Sequence, residues 1–241
     1  MNDPVDLELD GPLAIVSLNN PPLNIFNLAM RDELIQAFQA VNDIPDVRAM
    51  VLRAEGKHFS AGADLSEFGT AESVFEGRRI RWDRDPWGLL VDLRVPTIAA
   101  IRGTALGSGL EMSLLCDLRL ADTGSTIGLP ETKLAMLPAA GGTQSLTRAI
   151  GPHQALPPIA LASSMSATEA LARGIVHEVV DDVDHSARHH GEQLALVHPE
   201  VLRAGRRALR AAGDLDLDRG LRYEKSLATT LGSIMNRAEI D

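Results

Sequence analysis

PTIAAIRGTALGSGLEMSLLCDLRLA spans residues 96–121, and its punctuation decides the fold. Thr97–Ile101 is a short, mostly apolar run that predicts a buried strand. Gly103–Gly109 is glycine-rich and reads as a turn. An apolar helix follows from about Leu110 to Leu115, and Leu118–Ala121 predicts the next strand. Strand, glycine turn, helix and strand in succession are the connection of an α/β protein.

Working outward, the upstream chain repeats this grammar. Val5–Leu9 and Leu13–Leu18 are short strand-like runs parted by the turn Asp10-Gly11-Pro12, and Pro21-Pro22 closes the second. A helix fits Leu28–Val41, with Asn27 as its cap and Leu34, Ala37, Phe38 and Val41 on one face. Val47–Leu52 is another strand, Ala54–Asp64 has loop chemistry, and Ala71–Arg84 is polar and weakly helical. Downstream, Gly142–Ile150 reads as a short helix ended by Gly151-Pro152. Gln154–Ala162 has a helical pattern, so its Pro157-Pro158 pair is expected in a first turn or at a break. These repeated β-β-α units predict an α/β architecture other than a simple doubly wound sheet. After Asp182 strand patterns vanish, and Ser186–Val197, Pro199–Ala212 and Leu217–Thr230 read as helices. The chain is therefore divided into a core, residues 1–182, and a helical C-terminal domain, residues 183–241, with apolar faces suited to another subunit.

Composition narrows the class. The 241 residues are 45% hydrophobic, enough for a sizeable core and against disorder. Net charge is −10, which repels nucleic-acid backbones and anionic lipid surfaces. One cysteine, Cys116, cannot form an internal disulfide and fits a reducing, cytoplasmic setting. The start, Met1-Asn2-Asp3-Pro4, carries no signal-peptide pattern, and no apolar run is long enough for a membrane helix. Gly107-Ser108-Gly109 lacks the third glycine of a dinucleotide fingerprint, because position 112 is Met112. No phosphate loop and no Gly-x-Ser-x-Gly elbow occurs. His185, His189 and His190 read as a solvated helix face rather than a metal site, and so do Arg203, Arg206, Arg207 and Arg210.

What remains is a pair of turns and a pair of glutamates. The turns are Phe59-Ser60-Ala61-Gly62-Ala63-Asp64 and Gly103–Glu111. Each follows a strand-like run and enters a helix-like one, where backbone N–H groups lack partners and small residues admit a substrate. Two such amides can converge on one oxygen anion; taken singly, each turn reads as packing. Glu111 stands in the apolar run Leu110–Cys116, and Glu131 in Gly128-Leu129-Pro130-Glu131. Burial raises a carboxyl pKa, as acid–base work requires. Glu111 alone is equally a first-turn residue favoured by the helix dipole.

In this order the segments resemble the enoyl-CoA hydratase/isomerase (crotonase) superfamily. The matching stretches are Pro22-Leu23-Asn24, Phe59–Leu65, Pro96–Glu111, Cys116-Asp117, Leu129-Pro130-Glu131, Ala140–Arg148 and Ser166–Ala170, covering about residues 5–230. The resemblance implies a spiral of ββα units with a helical trimerisation domain. It implies acyl-CoA thioester substrates, a homotrimer or dimer of trimers, and no metal or redox cofactor, coenzyme A being part of the substrate. It places the oxyanion-hole amides at Ala63 and Ser108, the catalytic carboxyls at Glu111 and Glu131, and substrate contacts at Leu23, Asn24, Ala61, Gly62, Asp64, Leu65, Gly107, Gly109, Pro130 and Ala139. Glu111 would activate water and Glu131 would exchange the Cα proton. The acyl pocket would be lined partly by Phe68–Trp87, with Phe75, Trp82 and Trp87. Two departures stand out. The family often has Pro-Gly-Ala-Gly-Gly where this chain has Pro138-Ala139-Ala140-Gly141-Gly142. Its members also usually continue through a further helix, whereas this sequence stops at Asp241, so the 183–241 domain reads as shortened. An isomerase, another acyl-CoA lyase such as a decarboxylase or dienoyl-CoA hydratase, and a non-catalytic member are the competing readings.

Overall fold

The computed structural model describes residues 3–238, without the side chains of 79–82 and of 233 onward. Its strands are β1 (Val5–Asp10), β2 (Leu13–Leu18), β3 (Ala49–Ala54), β4 (Thr97–Ile101), β5 (Thr104–Leu106), β6 (Leu118–Asp122), β7 (Thr126–Gly128), β8 (Ser164–Ser166) and β9 (Glu178–Val180). The helices are α1 (Leu28–Asp43), α2 (Val74–Asp83), α3 (Pro86–Asp92), α4 (Ser108–Leu114), α5 (Gly142–Ile150), α6 (Pro152–Ala160), α7 (Ala167–Ala172), α8 (Val183–Ala195), α9 (Pro199–Ala211) and α10 (Leu217–Ala238). Short 3-10 turns occupy Leu65–Glu67 and Glu131–Leu134.

A six-stranded sheet runs β1-β2-β3-β4-β6-β9, parallel except for β1 against β2. A smaller sheet runs β5-β7-β8. From β4 to β7 the chain alternates between them, then β8 joins the small sheet and β9 the large one, so the path is a spiral that adds strands to both. This is the ββα spiral that the family resemblance implies.

Period-2 alternation assigns the large sheet's two faces. In β2, Leu13 and Ile15 point to one side, while Ala14, Val16 and Leu18 point to the other. Ala49 and Val51 divide from Met50 and Leu52 in β3, as Ile98 and Ala100 divide from Ala99 and Ile101 in β4. Burial on both faces explains why these strands read as apolar runs. The helix α1 covers the larger core with Met30, Leu34, Ala37, Phe38 and Val41, and Asn27 caps it by accepting from the Met30 N–H at 2.9 Å.

The second face is covered by α8, through Val183 and Ala187. This corrects the boundary at 182/183: α8 belongs to the core, and the helices beyond that sheet face are α9 and α10. It starts three residues before the expected Ser186, because Asp182 caps it through the His185 N–H. The prolines are a second correction. Pro157 and Pro158 sit inside α6, which begins at Pro152 and runs on to Ala160. The carbonyls robbed of donors are those of His153 and Gln154, both exposed, so water can serve them. The weakly helical Ala71–Arg84 becomes α2, capped by Ser73, and the sequence reading missed α3 altogether. Among the described residues no helix is long and apolar enough to cross a membrane.

Gly191 lets α8 approach the sheet: a methyl there would stand 2.6 Å from Leu13 Cδ1. Gly191→Ala should therefore lower stability by about 1–3 kcal/mol, although alanine is the better helix former by about 1 kcal/mol. In a Leu13→Ala background the same change should raise stability. Urea unfolding of the four proteins reads this reversal, and equal effects in both backgrounds would contradict the close contact.

Candidate active site

The two turns meet at the edge of the small sheet. Residue 60 runs parallel beside β5, its N–H donating to Thr104 O at 2.9 Å and its C=O accepting from the Leu106 N–H at 3.0 Å. On the other side Phe26 pairs with Ala63: the Phe26 N–H donates to Gly62 O and the Asp64 N–H to Phe26 O. The Ala63 N–H is left out of both ladders. Ser108 is the first residue of α4, where an N–H has no intrahelical acceptor. Among the described residues, neither the Ala63 nor the Ser108 amide has a protein acceptor. The approach is close enough to need glycine. Gly62 has φ +108°, and a methyl on it would lie 3.1 Å from Leu106 O and 3.7 Å from Ser108 N. The helix α4 starts two residues earlier than the apolar pattern indicated, and that shift makes Ser108 a free helix-start donor.

The carboxyls occupy different surroundings. Glu111, in the first turn of α4, is 2% exposed. Its Oε1 accepts from the Ala140 N–H at 2.8 Å and the Gly142 N–H at 2.9 Å. Glu131 opens the 3-10 turn after Pro130 and is half-buried. Its Oε2 is buried with no protein partner among the described residues. Its Oε1 lies 2.9 Å from where a Gly107 side chain would begin, so only glycine fits between Glu131 and Ser108. Burial, and secondarily the neighbouring Glu111, pushes the Glu131 carboxyl up to about 7.

A cavity of about 540 Å³ joins these pieces. Ala63, Asp64, Ser108, Ala139, Ala140 and Gly141 line it on the side of the turns. Neither glutamate is among its lining residues: Glu111 sits behind Ala140, whose N–H it holds, and Glu131 sits behind Gly107, next in sequence to the lining Ser108. Of the expected substrate contacts, Asp64 and Ala139 face the cavity. The other expected contacts do not line it. Leu23 and Leu65 are exposed and do not line it. Asn24 is wholly buried at φ +48°, and its amide donates to Glu55 O and His58 O. The Ala61 N–H donates to Leu23 O, while Gly62, Gly107 and Gly109 space the two turns and Pro130 leads into Glu131.

The far wall comes partly from the expected segment: Phe68, Gly77 and Trp87 line it, whereas Phe75 is 78% exposed and lies outside. The Trp82 side chain is outside the described residues. Phe26, Leu28 and Arg31 were missed as lining residues. Arg31 lies one turn beyond Leu28, its guanidinium 5.4 Å from the Trp87 ring, and a lone arginine following that leucine was the available signal. The result is a cleft with two unpaired amides from separate turns, a buried carboxyl held by backbone donors, and a second carboxyl that titrates near neutrality.

The Enoyl-CoA hydratase/isomerase family model matches residues 8–239. A Mycobacterium tuberculosis protein named "Probable enoyl-CoA hydratase" is 36% identical over 224 residues, covering 92% of this chain and 86% of its own. The (E)-benzylidenesuccinyl-CoA hydratase of Thauera aromatica is 34% identical over 240 residues, 98% of this chain and 93% of its own. A Thermobifida fusca structure solved in complex with CoA superposes with a TM-score of 0.88 at 27% identity, covering 98% of this chain and 95% of that one. This chain belongs to the enoyl-CoA hydratase/isomerase family.

Proposed function

We propose that the protein hydrates a 2-enoyl-CoA thioester to the 3-hydroxyacyl-CoA, reversibly. The observation that carries this is the pairing of two unpartnered amides on one cavity, Ala63 and Ser108, with two carboxyls of different environment directly behind its wall. Water adding at C3 drives an electron pair onto the thioester oxygen. The N–H groups of Ala63 and Ser108 stabilise that enolate, each donor being worth about 10²–10³ in rate. Glu111 orients the water and takes its proton. Glu131 delivers a proton to C2, and the sum is the addition of one H₂O. An isomerase needs one proton carrier; the presence of both glutamates favours hydration. The named relatives support an acyl-CoA substrate, and their acyl groups differ, so the acyl group is left to a panel of acyl-CoAs with mass detection of one water gained or lost.

Glu111→Gln and Glu131→Gln should each lower crotonyl-CoA hydration by about 10²–10⁴. Glutamine keeps an acceptor oxygen for the Ala140 and Gly142 amides, so the fold should survive. Wild-type rates in both variants would refute the assignment. Double-bond migration that survives only Glu111→Gln would point to an isomerase.

The pH dependence has a definite sign. The reactive pair carries one proton, shared between the two carboxyls. Water addition leaves the proton count unchanged, so kcat/KM must follow the same profile in both directions. It should fall in both as pH rises past about 7, where Glu131 loses its proton. Steady-state assays in both directions check this, and a flat profile from pH 6 to 9 would exclude Glu131 as the proton carrier.

The reading includes assembly as a homotrimer or dimer of trimers. Leu209, Leu217 and Leu221 on α9 and α10 are exposed apolar residues that support it. Light scattering should read a multiple of three chain masses; a 25.9 kDa particle would exclude it.

A further inference from the structure

Ser60 belongs to neither carboxyl nor cavity, yet more of the site's geometry passes through it than through any residue named above. It is wholly buried and does not line the cleft. Its hydroxyl donates to Asn24 O at 2.7 Å and accepts from the Gly62 N–H at 3.1 Å. Gly62 immediately precedes the Ala63 donor. Its backbone holds Thr104 and Leu106 on the second turn. Its Cβ and C=O also form the surface on which α4 rests, since a methyl on Gly109 would lie 2.8 Å from each. Gly109 immediately follows the Ser108 donor. Ser60 thus contacts both residues adjacent to the two amides, one by a hydrogen bond and the other by packing.

We propose that Ser60 is a positioning residue that fixes the separation of the Ala63 and Ser108 amides. The proposal rests on the oxyanion reading of those amides and deepens it. A hydrogen bond to an enolate oxygen weakens steeply with misalignment, so a shift of tenths of an ångström in one donor is felt in the enolate before it is felt in binding. Serine suits the position on three counts. It is small enough for α4 to close upon. Its single O–H can donate and accept at once. Its hydroxyl also satisfies a buried N–H and a buried C=O that an apolar residue would orphan.

The test compares Ser60→Ala and Ser60→Cys with wild type and with Ser108→Pro. Ser108→Pro removes one donor at a helix position that tolerates proline. Acetoacetyl-CoA is the probe, because its enolate has an ultraviolet band that an oxyanion hole enhances. Butyryl-CoA, which forms no such enolate, reports ground-state binding. The expected result for Ser60→Ala is a fall of about tenfold in kcat and in enolate-band affinity, smaller than the loss in Ser108→Pro, with KM and butyryl-CoA affinity within about twofold. Ser60→Cys should recover part of the loss, since its thiol keeps a weak donor and acceptor, and it carries the test if the alanine variant does not fold. A folded Ser60→Ala with an unchanged enolate band overturns the inference. Equal losses of enolate and butyryl-CoA affinity, tracking a fall in melting temperature, reduce Ser60 to a structural part and also overturn it. No enolate band in wild type would instead overturn the oxyanion reading beneath it.

Discussion

Two backbone amides from separate turns can address one oxygen only if no side chain stands between the turns. That steric constraint organises the site. Gly62, at φ +108°, faces Leu106 and Ser108 with only a tight fit for a methyl, and Gly107 leaves its space to the Glu131 carboxyl. Gly109 rests on Ser60. The glycines are therefore a set of clearances along one seam. The small sheet supplies the seam, because the first turn lies beside β5 as an added strand and the second turn is the exit from β5 itself. Catalytic geometry of this kind is set by main-chain hydrogen bonds, which do not relax as long side chains do.

Within that frame the two glutamates divide by environment. Two backbone donors hold Glu111 where it is buried, so its position is fixed by the chain from 140 to 142. Gly142 also has no space for a side chain against that carboxyl. Glu131 has an oxygen with no protein donor, and burial together with the nearby Glu111 holds its proton to near neutrality. Two identical side chains thereby stand in unlike surroundings, the arrangement needed to give one proton while taking another.

The sequence made the site legible where main chain does the work. Small residues at 61–63 and 103–109 and the two apolar-flanked acids read singly as packing or helix starts, and they became legible as a set through their order along the chain and the family it resembles. The strands β2, β3 and β4 were equally legible, since burial on both faces leaves an unbroken apolar run. The reading failed where contacts are long-range. That α8 belongs to the sheet depends on Gly191 meeting Leu13, nearly the length of the chain away, and no local pattern carries that. Asn24 was a substrate contact only as the family resemblance implied it. Only the fold reveals that its amide is spent on Glu55 and His58 carbonyls. The helix α3 was missed for another reason: its seven residues, with Pro86, Trp87 and Leu90 buried, are too few to show a helical period, and it starts at a cap on Asp85.

The missed α3 and the missed Arg31 stand on one side of the cleft. The wall that holds the amides and carboxyls is sheet edge and helix start, pinned by paired backbone groups. The opposite wall, Arg31, Phe68, Trp87 and Val91, stands on helices and a loop outside both sheets. Substitution there changes the shape and charge of that wall, and it reaches the seam only through Trp87, whose ring packs on Phe26, the partner of Ala63. On the proposed reading, most residues that would choose the acyl group stand apart from the amides that would stabilise the enolate and meet them through Phe26, so acyl preference could drift while the reaction is held constant. The same separation explains why local patterns identify the chemistry of the turns and leave the acyl group open.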